Sequence, residues 1–560
     1  MRNQPVSTLF GFLCLSLALL IPAQVASAAE NGQSMGVEYH ILAAEVAGQR
    51  GETQLAAQEY VKALRLAPTL ELAERATQVA AYAEDPALTL EAASAWAEFA
   101  PDKLEPRIIL MRVAVQLDQV QAGIEHGLFV LDKHPKGAAQ AFRDIAHAMS
   151  ADKGHAKSAL AVMAGLGKEY DKLPEADYAT GLLALRLDEM SAAVEAADRA
   201  LAMREDWPDA LLLKATALLR LNEVERAVAV VSGADLDDER QVALQLAFAR
   251  LLIEAELPEA AAEQYSLILM LDEQQPEALY AMGILQINMG NDGAAYDHFL
   301  TLYEDVGMRR DISAFYLGGI EESRGNFEEA LEWYERVTEG DRYLDAAQRK
   351  AFVLYKLGRM DEARSWLKEL RVSQPDLTIQ LYLAEGELLY EAGEFEEAMR
   401  LYNRALGFYP DEPDLLYGRS LIAERMDRLT LSERDLRRIL ELQPDDPRAL
   451  NALGYILANH TERYEEALDY ISRALAQTPE DAAVIDSMGW VQFRLGELDK
   501  ALAYLNKAFD KMPDPEVAAH LGEVLWQLGR LEDAQQIFEK ALRDDPEHPV
   551  LRDTIQRLTQ

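Results

Sequence analysis

The chain has 560 residues, with 55 Lys and Arg against 96 Asp and Glu, a formal net charge of −41. Apolar residues make up 49% of it, enough for an extensive core and too many for wholesale disorder. The acidity excludes the basic footprint with which proteins displace counterions from nucleic-acid phosphates, and it disfavours docking on an anionic bilayer through a basic surface.

The first element in chain order reads as an export signal. Arg2 gives a positive start, an apolar run extends from Leu9 to Ile21, Pro22 breaks it, and Ala26-Ser27-Ala28 offers a small-x-small cleavage site. The run is too short to cross a bilayer as a helix, which takes about 20 residues. Residues 1–28 are therefore expected to be a signal peptide, cut between Ala28 and Ala29. Cys14 is the single cysteine and lies inside the run with Leu13 before it, where a lipidated cysteine is preceded by a small residue. It reads as part of the signal's apolar core. The chain after Ala28 then has no thiol and no disulfide, and meets a membrane only through partners unless it is lipidated.

Beyond the signal the chain repeats. The first unit reads Gly51, Ala56, Tyr60, Ala63, Pro68, and Pro101 and Pro135 follow in step. Residues 29–175 form a degenerate set, with units around Thr77, Met111 and His147 and a soft boundary at Lys168–Pro174. In the middle set, 176–310, a small residue recurs at Gly181, Ala215, Ala249 and Gly283, with an acidic loop at Asp235–Arg240. From 311 to 548 the repeat is regular: Gly318, Ala351, Gly386, Ser420, Gly454, Gly489 and Gly522 hold one position. Alanines (Ala330, Ala363, Ala398, Ala467, Ala501, Ala534) and prolines (Pro375, Pro410, Pro444, Pro479, Pro513, Pro546) share the period, the prolines at intervals of 35, 34, 35, 34 and 33. One extra residue falls near Thr461. Residues 549–560 read as a polar capping helix. Glycine at the repeated small position lets two helices approach, Gly496 and Gly529 end the first helix of their pairs, and the prolines end the second.

This pattern resembles the tetratricopeptide repeat (TPR), whose unit of about 34 residues carries L-G, then A-x3-F, then Pro. The expected fold is an all-α TPR α-solenoid, a right-handed superhelix of about 15 helix pairs closed by a C-terminal capping helix.

Motifs for chemistry are missing. There is no phosphate-cradling glycine loop, no H-E-x-x-H and no nucleophile elbow, and the nine histidines are scattered. His520 reads as packed or hydrogen-bonded rather than as a ligand. Acidic pairs such as Glu328-Glu329, Glu396-Glu397 and Glu465-Glu466 fall at helix starts, where they suit the helix dipole. No enzyme, metal, cofactor or catalytic residue is expected. A solenoid instead offers a groove lined by the first helix of each pair. Groove positions three before, one after and four after the small residue give Tyr280, Phe315, Tyr355, Tyr390, Tyr417, Tyr455, Trp490, Phe493 and Trp526. Aromatics of this kind either supply binding hot spots or pack between repeats. Asp486, Ser487 and Glu516 do not supply the Lys, Asn and Arg clamp with which some TPR proteins hold a terminal carboxylate, which argues against capture of an acidic C-terminal tail; the net acidity points to proteins or peptides with basic or apolar surfaces as partners.

The most specific segments are Asn451-Ala452-Leu453-Gly454-Tyr455, Arg463-Tyr464-Glu465-Glu466-Ala467, Asp486-Ser487-Met488-Gly489-Trp490-Val491 and Ala518-Ala519-His520-Leu521-Gly522-Glu523-Val524-Leu525-Trp526. Ala44-Glu45-Val46-Ala47-Gly48-Gln49-Arg50 and Ala73-Glu74-Arg75-Ala76 stand near the start. Together they resemble a family of long TPR proteins of the Gram-negative envelope, outer-membrane lipoprotein adaptors of a carboxy-terminal-processing protease. The resemblance implies a periplasmic location, association with the outer membrane, and a role in bringing cell-wall hydrolases to the protease. The absent lipoprotein cysteine departs from that family: either this member is soluble in the periplasm, or the true start differs. A structural part of a polysaccharide or pilus export machine is the alternative, and a peptidoglycan-acting enzyme a third reading that the missing motifs disfavour.

Overall fold

The computed structural model describes residues 36–307 and 309–559, so the export signal, Cys14 and the Ala28–Ala29 junction lie outside the described residues. Among the described residues there are 31 α-helices and no strand. They fall into two compact units, divided between Thr301 and Leu302. The first unit holds eight helix pairs, from Val37–Gln49 with Thr53–Leu66 to Pro276–Asn288 with Asp292–Thr301. The second holds seven, from Arg310–Ser323 with Phe327–Glu335 to Pro515–Gln527 with Leu531–Asp544, followed by a closing helix, Pro549–Thr559.

The hairpin inside each pair is set by one residue. In thirteen of the fifteen pairs a residue in the left-handed region follows the first helix. In seven of these it is glycine, as at Gly496 (φ 82°) and Gly529 (φ 76°). Elsewhere Glu84, Asp118, Asp188, Asn222, Glu256 or Asp427 takes the same place, with φ between 54° and 63°. The same bond closes both versions: Glu497 N–H reaches Gln492 O at 2.9 Å after Gly496, and Arg428 N–H reaches Ala423 O at 2.7 Å after Asp427. This is the six-to-one bond that satisfies a helix's last carbonyls. Second helices stop just short of the repeating prolines, at Phe408 before Pro410 and Leu442 before Pro444. The next first helix then opens on a proline behind an acidic cap. Asp446 accepts from the N–H groups of Arg448 (2.9 Å) and Ala449 (3.0 Å), with Pro447 in the first turn where no donor is needed.

At Gly283, Gly318, Gly386, Gly489 and Gly522 the small residue of the first helix faces a large one sixteen positions on, and at Gly454, with the extra residue near Thr461, seventeen. A Cβ on Gly522 would collide with the ring of Phe538, and one on Gly489 would lie 2.6 Å from Leu505 Cγ. Alanines between them, such as Ala501 and Ala534, are wholly buried. Thr77 and Met111 are likewise wholly buried at their expected places. His147 is not: it is exposed beside Arg186, and Ile145, Ala146 and Met149 fill the core instead. That pair has no left-handed turn residue. A link at 150–152 and a short 3-10 turn, Lys153–His155, precede its second helix, which puts the sequence out of phase there.

Buried carboxylates tie neighbouring pairs together. Glu385, 3% exposed, accepts from Arg364 Nε (3.0 Å) and Arg371 Nη2 (2.7 Å) on the preceding second helix. Glu523 accepts from both Nη atoms of Arg557 on the closing helix, at 2.7 and 2.6 Å. Glu328, Glu329, Glu396, Glu397, Glu465 and Glu466 all lie in the first turn of a second helix, where the helix dipole favours them.

Candidate protein-interaction surface

In the second unit one hydrogen bond defines the inner wall of the stack. The Tyr455 hydroxyl, on Pro447–His460, donates to Glu516 Oε1 at 2.7 Å, 61 residues on. Glu516 belongs to the first helix two pairs later. Helices one and three of a row can touch only on the inside of a curve, so this bond marks the concave face and shows that first helices line it.

Between these two helices lies Ala482–Arg494. Its Trp490 is 7% exposed and stacks on His520, ring centroids 4.2 Å apart, while Tyr455 approaches the same imidazole at 6.1 Å. His520 Nδ1 donates to both carboxylate oxygens of Asp486 at 3.0 Å, since an ionised carboxylate has only acceptors. Burial pushes the His520 pKa down, but the charge and hydrogen bond of Asp486, with Glu516 and Glu523 behind them, win and raise it. Burial and the adjacent Glu516 raise the Tyr455 phenol, which therefore stays a donor. Two groups here lack a hydrogen-bond partner: the Trp490 indole nitrogen and Asn451 Oδ1.

The nine sequence-predicted aromatics do not form one site. Tyr280 lies in the first unit, its ring edge-on to Phe299 at 6.3 Å. The other eight lie in the second unit, and apart from the buried Trp490 they are half-buried. Several are covered by a cation from another helix. Arg342 lies over Phe315 at 5.4 Å, Arg425 over Tyr390 at 5.6 Å, and Arg448 over Tyr417 at 5.4 Å. Arg425 Nε also donates to the Tyr390 hydroxyl at 2.6 Å. The Tyr355 hydroxyl donates to Glu391 O at 3.3 Å, Phe493 packs on Trp490 at 5.1 Å, and Trp526 packs against the last core cluster. These rings bridge repeats as well as lining a wall, and the wall presents guanidinium groups among carboxylates. The covering arginines sit 27, 35 and 31 residues beyond their rings, roughly one repeat on. That recurrence is the signal in the sequence that points to them.

Near the start, Tyr60 donates its hydroxyl proton to Glu45, and Arg75 Nη2 reaches Glu45 Oε1 at 3.3 Å, so the two N-terminal motifs meet in one ion pair. A concavity of about 710 Å³ lies beside the nine-residue helix Val224–Ser232, with Lys214 and Arg226 facing Glu205, Asp206 and Asp235. Among the described residues no group of three or more His, Cys, Asp or Glu is placed to hold a metal ion, and no helix is long and apolar enough to cross a membrane.

The second unit, a row of helix hairpins with a concave wall, is an α-solenoid of the kind that presents extended binding surface. Its repeat is the tetratricopeptide repeat. One tetratricopeptide-repeat model matches residues 178–240, 383–447 and 417–482, and a second matches 458–524 and 492–558. The chain carries tetratricopeptide repeats over these segments. A TPR repeat-containing protein of Pseudomonas aeruginosa is 41% identical over 249 residues, 44% of this chain and 42% of that one. A TPR repeat-containing protein of Bacillus subtilis is 21% identical over 343 residues, 61% of this chain and 81% of that one. The chain thus spans about two fifths of the Pseudomonas relative. Among solved structures, a thermophilic TPR protein of Thermus thermophilus is 27% identical, covering 32% of this chain and 98% of that one, with a TM-score of 0.30.

Proposed function

We propose that this protein is a non-enzymatic scaffold of the cell envelope that holds protein partners along the concave wall of its second unit. The observation that carries the reading is the Tyr455–Glu516 bridge, which puts successive first helices, with their half-buried aromatics and guanidinium groups, on one continuous inner face. Aromatic and arginine side chains are the residue types enriched at interface hot spots.

The finer reading is an adaptor in the periplasm, associated with the outer membrane, that brings cell-wall hydrolases to a carboxy-terminal-processing protease. The signal-like start and the envelope-type motifs around Gly454, Gly489 and Gly522 support it. The test is to tag the chain from Ala29 to Gln560 and identify by mass spectrometry what it captures from envelope extract. Recovery of the protease with cell-wall hydrolases is the expected result. Recovery of the subunits of a secretion channel instead would overturn the adaptor reading in favour of a structural role in an export machine.

A further inference from the structure

We propose that His520, Asp486 and Trp490, with the Tyr455–Glu516 bond beside them, form a proton-operated latch that sets the curvature of the last three helix pairs. The geometry is that of a clasp. Asp486 and Trp490 lie on Ala482–Arg494, His520 and Glu516 on Pro515–Gln527, and Tyr455 on Pro447–His460. His520 is 4% exposed and fastens Pro515–Gln527 to Ala482–Arg494 through Asp486, itself 6% exposed. Tyr455 then reaches over the pair to Glu516.

The groups around the imidazole make its charge matter. Asp486 faces it from one side, and Glu516 and Glu523 act on it from its own helix. Glu523 is neutralised by Arg557 of the closing helix. From Pro447–His460 comes the Tyr455 ring, while Leu505, Ala508 and Phe509 of Leu498–Lys511 share an apolar cluster with Ala519 and Leu521, the chain neighbours of His520. Arg425 and Glu424, one helix further back, act on Glu516 and Tyr455 respectively. With the imidazole protonated, Asp486 has a buried counter-charge and Glu516 gains a second cation. Without the proton, Asp486 keeps only a neutral hydrogen bond in a dry site with Glu516 nearby, an arrangement that costs free energy. His520 titrates higher in the folded chain than in the unfolded one. The latch is therefore fully closed below the ordinary histidine pKa of about 6.5 and loosens as pH rises through the raised folded value.

The test uses paired spin labels at Glu462→Cys and Gln527→Cys in a Cys14→Ser background, both sites being exposed, the first in the turn just past Pro447–His460 and the second at the end of Pro515–Gln527. Distances are read by electron–electron resonance between about pH 6 and about pH 9, the range over which histidines titrate. The expected result is a narrow distribution at the acid end that lengthens and widens at the alkaline end, with a midpoint matching the His520 imidazole resonance. His520→Gln should hold the wide distribution at every pH. Tyr455→Phe should widen the acid-end distribution while keeping the midpoint, because it removes the bridge and leaves the charged pair. A distribution that does not change with pH in the parent protein would overturn the latch, as would an unchanged titration in a folded His520→Gln protein. Should His520→Gln not fold, the parent titration and Tyr455→Phe decide the matter.

Discussion

Arg419 grips Asp435 with two parallel hydrogen bonds, Nε at 2.6 Å and Nη2 at 2.9 Å, sixteen residues apart in one helix pair. Asp435 is 2% exposed, so its charge has almost no water to fall back on. Arg419→Ala would leave it only the long contact with the exposed Arg434 at 3.4 Å, so the loss should approach the roughly 3–5 kcal/mol typical of removing one partner of a buried pair. Urea unfolding should show that loss in the second unit. Replacing both partners, Arg419→Met with Asp435→Leu, should recover most of it, because an apolar pair in the same volume carries no desolvation cost. Equal losses in the single and double variants would mean that packing, not charge, holds this pair.

The ring of Tyr402 is wedged between two glycines on successive first helices. A Cβ added at Gly418 would lie 2.6 Å from Tyr402 Cζ, and one at Gly386 would collide with the same ring. Gly418→Ala should destabilise the chain by about 1–3 kcal/mol, the usual range for overpacking a filled core. Combined with Tyr402→Leu, which shortens the wedge, the alanine should cost markedly less. Denaturation midpoints of the four proteins in the cycle check this directly.

Glu256 stands in the left-handed region at φ 59°, exposed, where regular repeats carry glycine. A residue with a Cβ is strained there by about 1–2 kcal/mol, and glycine gives back about 0.5–1 kcal/mol of that as unfolded-chain entropy. Glu256→Gly should therefore stabilise the first unit by roughly 0.5–1 kcal/mol. A melting temperature unchanged or lowered would show that the strain is relieved in some other way.

These turn residues explain how much of the fold could be read from the sequence. Gly496 and Gly529 were legible as first-helix ends because glycine does one job there, as it also does at Gly290, Gly325, Gly358 and Gly393. Glu84, Asp118, Asp188, Asn222 and Asp427 do the same job with side chains that also suit ordinary helices and loops, so their units carried a weaker signal. His147 went astray because its pair replaces the one-residue turn with a longer link. At the wall, helical spacing located Tyr455 and Trp490. It could not show that Tyr455 meets a residue 61 positions away, since that contact depends on how sharply the stack curves. Nor did a search for aromatics register that Arg425 and Arg448 cover the rings of their neighbours.

The first unit should respond to acid through two histidines. Burial holds His126 below the usual histidine range, helped by Arg107, and burial does the same for His298 against the pull of Asp297. A depressed histidine favours the neutral folded form. The stability it contributes is present above the unfolded pKa of about 6.5 and is lost as pH falls through the folded value. Hydrogen exchange in peptides covering 120–133 and 292–301 should rise, after correction for intrinsic rate, on going from about pH 7.5 to about pH 5.5. His126→Gln with His298→Gln should flatten that dependence, and an unchanged slope would assign the acid response to other groups.

Two surfaces compete for the partner, and substitutions can separate them. One is the concave wall, where Trp526 is half-buried and Arg425 links Tyr390 to the neighbourhood of Glu516. The other is the set of second-helix ends, where Val372 is 78% exposed and Phe408 71% exposed. If the wall binds, Arg425→Glu and Trp526→Ala should each weaken the captured partner at least about tenfold, or about 1.4 kcal/mol, by calorimetry. Helix content should not change, since neither side chain lies in the fully buried core. Phe408→Ser with Val372→Ser should then leave affinity as it was. The reverse pattern would place the partner on the helix ends and leave the arginine-covered rings with a packing role only. That outcome is a real contest, because a ring already capped by its own chain's guanidinium has less face to offer than its exposure suggests.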